Sequence, residues 1–355
     1  MKRPGSNIRW DASKDFSSDI FRLIGRTPLV KLERICKARN VSSAMFGKLE
    51  FFNPTGSLKD RIYHEMVTKA IERGELKPSM EIIEASTGNA GIACSFVGSI
   101  CGFKVTVVMP RGMSQERVKM IRAFGGSIVF TEGGESDVDL DIREIRQLVS
   151  KSPGKYWWPD QFSNPDNPNA HFKTTGPEIW QQTGGQVDCF LASTGTGGTL
   201  TGVARFLKQR SPSVKVFAVE PSEAPLLSKR TWGSHRIEGI GDGFVPRNLD
   251  LSLLEGVVTT TSEEAVEMAK RLALEEGIFC GISSGCNVAA AIKTARRHPE
   301  FRSIVTMIND SGQRYFSTEL CWEKKEIEIP MREHPLDEHT LEELNKYQSR
   351  WEIID

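Results

Sequence analysis

The sequence predicts an α/β protein with largely parallel sheets, and three observations carry that prediction. Short apolar runs alternate with helical patterns along most of the chain. The 355 residues suffice for two domains. One stretch rich in Pro, Asn and Asp, Trp158–Asn169, interrupts the alternation and marks a crossing between them.

Taken in order, Asp60–Arg73 shows helical spacing and Met80–Ala85 a short apolar run, read as a buried strand. Helix Asn89–Ile100, strand Val105–Met109, helix Gln115–Phe124 and strand Ser127–Thr131 follow. Past the crossing come strand Asp188–Ala192, helix Gly198–Arg210 and strand Val214–Val219. Helices Ser262–Glu276 and Asn287–Arg297 and strand Ile304–Ile308 complete the body. The tail 331–355 is set off by Pro330 and Pro335. Thr340-x-x-Glu343 reads as a capping box there, with Leu341, Leu344, Tyr347 and Trp351 on one face. A terminal helix docked on its own body is the simpler reading, and docking on a partner subunit the other.

Hydrophobic residues make up 39% and charged residues 26%, as in ordinary globular proteins. The net charge of zero gives no global field toward nucleic acid or an anionic membrane. No apolar run has the length of a membrane span, and residues 1–16 lack the apolar stretch of a secretory signal. Seven cysteines without a C-x-x-C pair argue against a disulfide framework or a zinc site. A cytoplasmic location is expected.

Four segments carry chemistry. Asn53–Arg61 is a loop of turn formers ending in Lys59 where a helix begins; a desolvated amine there forms a Schiff base with a carbonyl, although most lysines are surface charges. Ser86-Thr87-Gly88-Asn89-Ala90-Gly91 joins a strand to a helix, where amides and hydroxyls favour a carboxylate or phosphate; plain N-capping is the competing reading. Gly195-Thr196-Gly197-Gly198-Thr199 repeats that arrangement with three glycines and suits a phosphate ester. It has neither the ending of a nucleoside-triphosphate loop nor the dinucleotide spacing. Gly281–Gly285 places small hydroxyls where a flat ring could lie, or simply caps a helix. The second and third segments follow strand ends, where α/β sheets bind ligands.

On these residues, from about Ile20 to Thr318, the chain resembles the fold-type II pyridoxal-phosphate enzymes, in the cysteine synthase and cystathionine β-synthase branch. The resemblance implies two open, twisted, mostly parallel sheets with helices on both faces. It implies a smaller mobile domain at 46–163, a larger one from 15–45 plus 164–330, and a tail helix at 331–355. Lys59 is implied to hold pyridoxal 5'-phosphate, Asn89 to bond its 3-oxygen, Gly195–Thr199 to hold its phosphate, and Ser283 to face its ring nitrogen. Ser86, Thr87, Gly88, Asn89, Gln161 and Gly241 are implied to bind substrate. No metal site is implied.

The implied reaction is β-replacement on an activated L-serine, O-acetylserine plus sulfide giving L-cysteine through an aminoacrylate. Related reactions with O-phosphoserine, serine and homocysteine or another nucleophile are alternatives, and a serine or threonine dehydratase is a more distant one. A homodimer is implied, as is docking of a serine acetyltransferase tail. Two positions depart from the family pattern: Ala90 replaces a hydroxyl residue, and Asp242 stands where alanine is common. Asp242 either meets the substrate or points to solvent.

Overall fold

A computed structural model describes residues 17–132, 138–321 and 334–355. Among these residues a seven-stranded sheet contains β1 (Leu29–Lys31), β2 (Ala44–Leu49), β7 (Cys189–Ser193), β8 (Lys215–Pro221), β9 (Gly256–Thr260), β10 (Ser303–Ile308) and β11 (Glu352–Ile354). Its order is β1-β2-β10-β7-β8-β9-β11. A four-stranded sheet, β5-β4-β3-β6, contains β3 (Glu81–Ala85), β4 (Val105–Pro110), β5 (Ser127–Thr131) and β6 (Tyr156–Trp157). Every pairing is parallel except the β1–β2 edge. The fold is the expected two-sheet α/β architecture.

Burial explains the parallel arrangement. Every residue of β4, β9 and β10 is buried, the pattern of strands covered on both faces by helices. Helix Asn89–Ile100 covers the small sheet, joined by Ile62, Tyr63 and Met66 of helix Lys59–Glu72. Helix Ile282–Arg297 packs its small face against the large sheet through Val288, Ala290 and Ala291. None of the described helices is long and apolar enough to cross a membrane.

The chain leaves the small sheet after β6 at Trp157 and enters the large one at β7. Between them lie helices Asp166–Lys173 and Thr175–Gln182, which the Pro-rich composition concealed. Pro168 sits in the first turn of its helix, where a missing N–H costs nothing. The boundary expected at residue 46 falls inside β2. Phe46–Leu49 pair with Val305–Ile308 of β10, so they belong to the large sheet.

Two further expectations change. The helix predicted from Asn287 begins at Ile282, putting Ser283 in its first turn. In the tail, helix Glu338–Tyr347 is capped by the Asp337 side chain, which accepts from Thr340 N at 2.7 Å, and not by a Thr340–Glu343 box. Asp337 lies three residues before Thr340, the spacing a capping carboxylate needs. Leu344 and Trp351 are buried, but Leu341 is exposed. The tail docks on its own chain and ends in a strand, β11, added in parallel to β9. Residues 331–333 of the tail expectation lie outside the described residues.

Candidate active site

Three parallel strands end at one cleft: β3 leads into Ser86, β7 ends at Ser193, and β10 leads into Asn309. Lys59 faces this cleft from the first turn of its helix. The preceding loop is held from within. The buried Asp60 carboxylate accepts from Thr55 N at 2.7 Å, and Arg314 donates to the carbonyls of Thr55 and Gly56. Two residues beyond Lys59, Arg61 is clamped between Glu50 and Glu178, each at 2.7 Å. Helix and lysine are thereby fixed in register.

Burial lowers the proton affinity of the Lys59 amine to about 8. Asp242 opposes this most among the nearby charges, followed by Asp310 and Glu84. Glu84 is itself fully buried, and burial pushes its carboxyl up to about 8.

At the Ser86–Gly91 turn, the Ser86 hydroxyl accepts from Gly88 N at 2.9 Å and Gly91 N at 2.7 Å. It therefore acts as a cap while also lining the cleft. Asn89 donates its amide to Asp310 at 2.6 Å, and its buried Oδ1 has no partner. Gln161 lines the cleft, but its amide group donates to Ala85 O at 2.9 Å, leaving Oε1 buried and unpaired. Its Nε2 carries two hydrogens, so the bond to Ala85 leaves a second donor beside the unpaired Oε1.

The Gly195–Thr199 turn lies on the same cleft. Gly197 has a left-handed φ of 76°, so the chain turns its amides toward the start of helix Gly198–Arg210. Behind it, Asn167 donates to the Thr196 hydroxyl at 3.0 Å, and His171 Nε2 lies 3.1 Å from the Thr199 hydroxyl. Burial, then the Arg61 charge, lowers His171 to about 3, so the ring is neutral. Both hydroxyls are thus held from the protein side. Gly195, Thr196, Gly197 and Thr199 line the cleft; Gly198 does not. A Cβ on Gly198 would fall 1.8 Å from Asn167 Oδ1, so glycine is needed for the helix start to pack this closely.

Ser283 lines the cleft and accepts from Asn309 Nδ2 at 3.0 Å. Gly241 stands back from it: its N–H donates to Thr194 O at 3.2 Å, while Gly239, Ile240 and Asp242 form the wall. Asp242 therefore faces the cleft and Lys59, not bulk solvent. Ala90, the other departure, also lines it.

Sequence reasoning missed four contributors. Arg117 and Glu238 form an ion pair across the cleft wall, with the Arg117 guanidinium 4.8 Å from the centre of the Tyr315 ring. Asn309 and Asp310 hold Ser283 and Asn89 respectively. The position of Asn309–Asp310 just beyond β10 was a usable signal, because strand ends position ligand-binding groups. Nothing local distinguishes Arg117 from other helical arginines.

An amine of lowered proton affinity, a glycine-bounded amide cup and unpaired buried amide oxygens on one cleft define an α/β enzyme of the phosphate-carrying-aldehyde type. Lys59 and the glycine-bounded turn on one cleft, with the Asn89 amide between them in sequence, fit pyridoxal phosphate. The chain belongs to the pyridoxal-phosphate dependent enzyme family, whose model matches residues 20–310. It is 45% identical to cysteine synthase A of Escherichia coli over 307 residues, covering 84% of this chain and 93% of that protein. It is 45% identical to cysteine synthase 3 of Caenorhabditis elegans over 300 residues, covering 84% and 88%. The crystal structure of a cysteine synthase from Entamoeba histolytica matches with a TM-score of 0.83 at 34% identity, covering 99% of each chain.

Proposed function

We propose that this chain is a cysteine synthase that replaces the β-substituent of an activated L-serine, O-acetylserine, with sulfide. The observation that carries this is the meeting of Lys59 and the Gly195–Thr199 cup on one cleft, although 136 positions separate Lys59 from Gly195. Bound pyridoxal phosphate supplies an aldehyde for amines and a ring that draws electrons from the substrate's Cα. Lys59 and the amides of the cup would hold it, with Asn89 at its oxygen substituent and Ser283 at its ring nitrogen.

The chain's own residues account for the rest. Lys59, with its proton affinity near neutrality, takes the Cα proton and returns it. Ser283 presents a hydroxyl, not a carboxylate, so it does not hold a proton on the ring nitrogen. That favours rapid loss of the β-substituent over transamination. The amides at the start of helix Asn89–Ile100 face the substrate carboxylate, with Thr87 and Gly88 beside them. Closure of the smaller sheet's domain toward the larger would exclude water.

Asp242 on the cleft wall favours a substrate whose β-substituent is uncharged, the acetyl ester, over one that carries a phosphoryl dianion. Ala90 disfavours the dehydratase reading, which calls for histidine after the loop asparagine. A homodimer is part of the proposal, supported by the exposed Phe52 and Phe316. The serine acetyltransferase tail would dock at the cleft mouth, and the cytoplasm is the proposed location. The test is to supply purified, cofactor-loaded protein with O-acetylserine and sulfide and to assay cysteine. No cysteine from O-acetylserine, with turnover of O-phosphoserine or serine instead, would reject the assignment.

A further inference from the structure

The tail beyond residue 333 is built into the cleft wall from behind. Thr340 is fully buried in the first turn of helix Glu338–Tyr347, and its hydroxyl accepts from Val245 N at 2.9 Å. Val245 lies three residues after Asp242 and is itself buried. A Cβ at Gly243, whose φ is +82°, would fall 2.4 Å from His334 Nε2, so this backbone and the tail are in direct contact. The His334 ring meets Trp232 edge-on, centroids 4.9 Å apart. Gln348 donates to the carbonyls of Leu227 and Ser228, both at 2.8 Å, and Arg230 donates to Asn345 at 2.7 Å. The tail thus grips both ends of the segment 227–245, whose middle carries Glu238, Gly239, Ile240 and Asp242 to the cleft.

The same segment is also anchored ahead of the cleft, where Arg236 pairs with Glu263 and Glu319, and at the cleft itself. Gly241 N donates to Thr194 O, and Glu238 pairs with Arg117. Gly239, Gly241 and Gly243 all have left-handed φ, a backbone with little intrinsic preference for one path. The hydrogen bond from Val245 ties the glycine-rich path to the tail, because a buried amide left without a partner costs free energy.

We propose that Thr340 is a positioning residue for the substrate side of the cleft: its hydroxyl fixes Val245 and, through it, the Gly239–Gly243 segment that carries Asp242. This rests on the reading above that the segment faces the amino-acid substrate. The cofactor cup touches this segment at Gly195 and is also anchored by Asn167 at Thr196 and His171 at Thr199, so the effect falls more on substrate than on cofactor.

The experiment compares full-length, cofactor-loaded parent, Thr340→Val and Thr340→Ser with O-acetylserine and sulfide. Thr340→Val keeps the shape and removes the acceptor; it raises KM for O-acetylserine about tenfold, while pyridoxal phosphate affinity stays within about twofold. Thr340→Ser restores the parent KM. Unchanged KM in Thr340→Val, or Thr340→Ser as impaired as Thr340→Val, would overturn the proposal. If Thr340→Val does not fold, amide hydrogen exchange in the parent decides: Val245 N–H is protected if held by Thr340, and fast exchange there refutes it. A parent without cysteine-forming activity would reject the proposed function itself, and the exchange measurement would still judge the Val245–Thr340 contact.

Discussion

The lowered proton affinity of Lys59 has a direct kinetic consequence. An exposed lysine amine titrates at 10.5, whereas burial brings Lys59 to about 8. That lowering corresponds to about 3 kcal/mol between the protonation states. At pH 7 about one amine in ten is then neutral and nucleophilic, against about one in 3,000 without the shift, a gain of roughly 300-fold. The assay is stopped-flow absorbance of covalent pyridoxal phosphate capture by cofactor-free protein from pH 6 to 10, with free lysine run in parallel to correct for titration of the aldehyde itself. The corrected rate should climb tenfold per pH unit and level off near pH 8. Asp242→Ala removes the strongest charge that favours the protonated amine, so the levelling point should move to lower pH. A plateau reached only near pH 10, or an upward move in Asp242→Ala, would show that the amine is not desolvated as described.

Three other outcomes follow from the same geometry. A Cβ on Gly195 would lie 2.4 Å from Gly239 O, a backbone atom that cannot swing aside, so Gly195→Ala should weaken pyridoxal phosphate binding about tenfold or more, measured by equilibrium dialysis. Arg61→Leu leaves Glu50 buried without its guanidinium and should cost about 3–5 kcal/mol in urea unfolding; a loss under about 1 kcal/mol would contradict the ion-pair reading. Burial opposes the charge of Glu178, but its bonds with Arg61 and then the charge of Lys48 prevail and hold its carboxyl at about 2, below the ordinary 4.5. Its stabilisation is full above pH 4.5 and disappears as pH falls toward 2, on the order of 2–3 kcal/mol, and Glu178→Gln should flatten that part of the stability curve.

Elements with strong local patterns were legible in the sequence. Strand β5 and helices Asn89–Ile100 and Gly198–Arg210 begin and end where their apolar spacing and turn residues indicate. The placement of the lysine and the two glycine-bearing turns at helix starts was legible for the same reason: each is a contiguous run, and helix-start signals are local. Elements whose stability comes from distant partners were not. The two-residue β6 exists because Glu81 and Ile82 lie beside it, and β11 because β9 offers an open edge. Thr340 reads as a helix cap by spacing, yet a buried amide 95 residues earlier claims its hydroxyl.

The chemistry available to this protein was thus determined by short runs of sequence: an amine, two amide-rich turns, a small hydroxyl. Tertiary structure decided what each group faces. It turned Asp242 toward the cleft and Gly241 away, anchored one hydrogen of the Gln161 amide on Ala85, and placed Arg117 against Glu238. Backbone amides at a helix start point one way whatever surrounds them. A side chain on a glycine-rich loop takes its direction from the elements packed against that loop, and those come from distant parts of the chain.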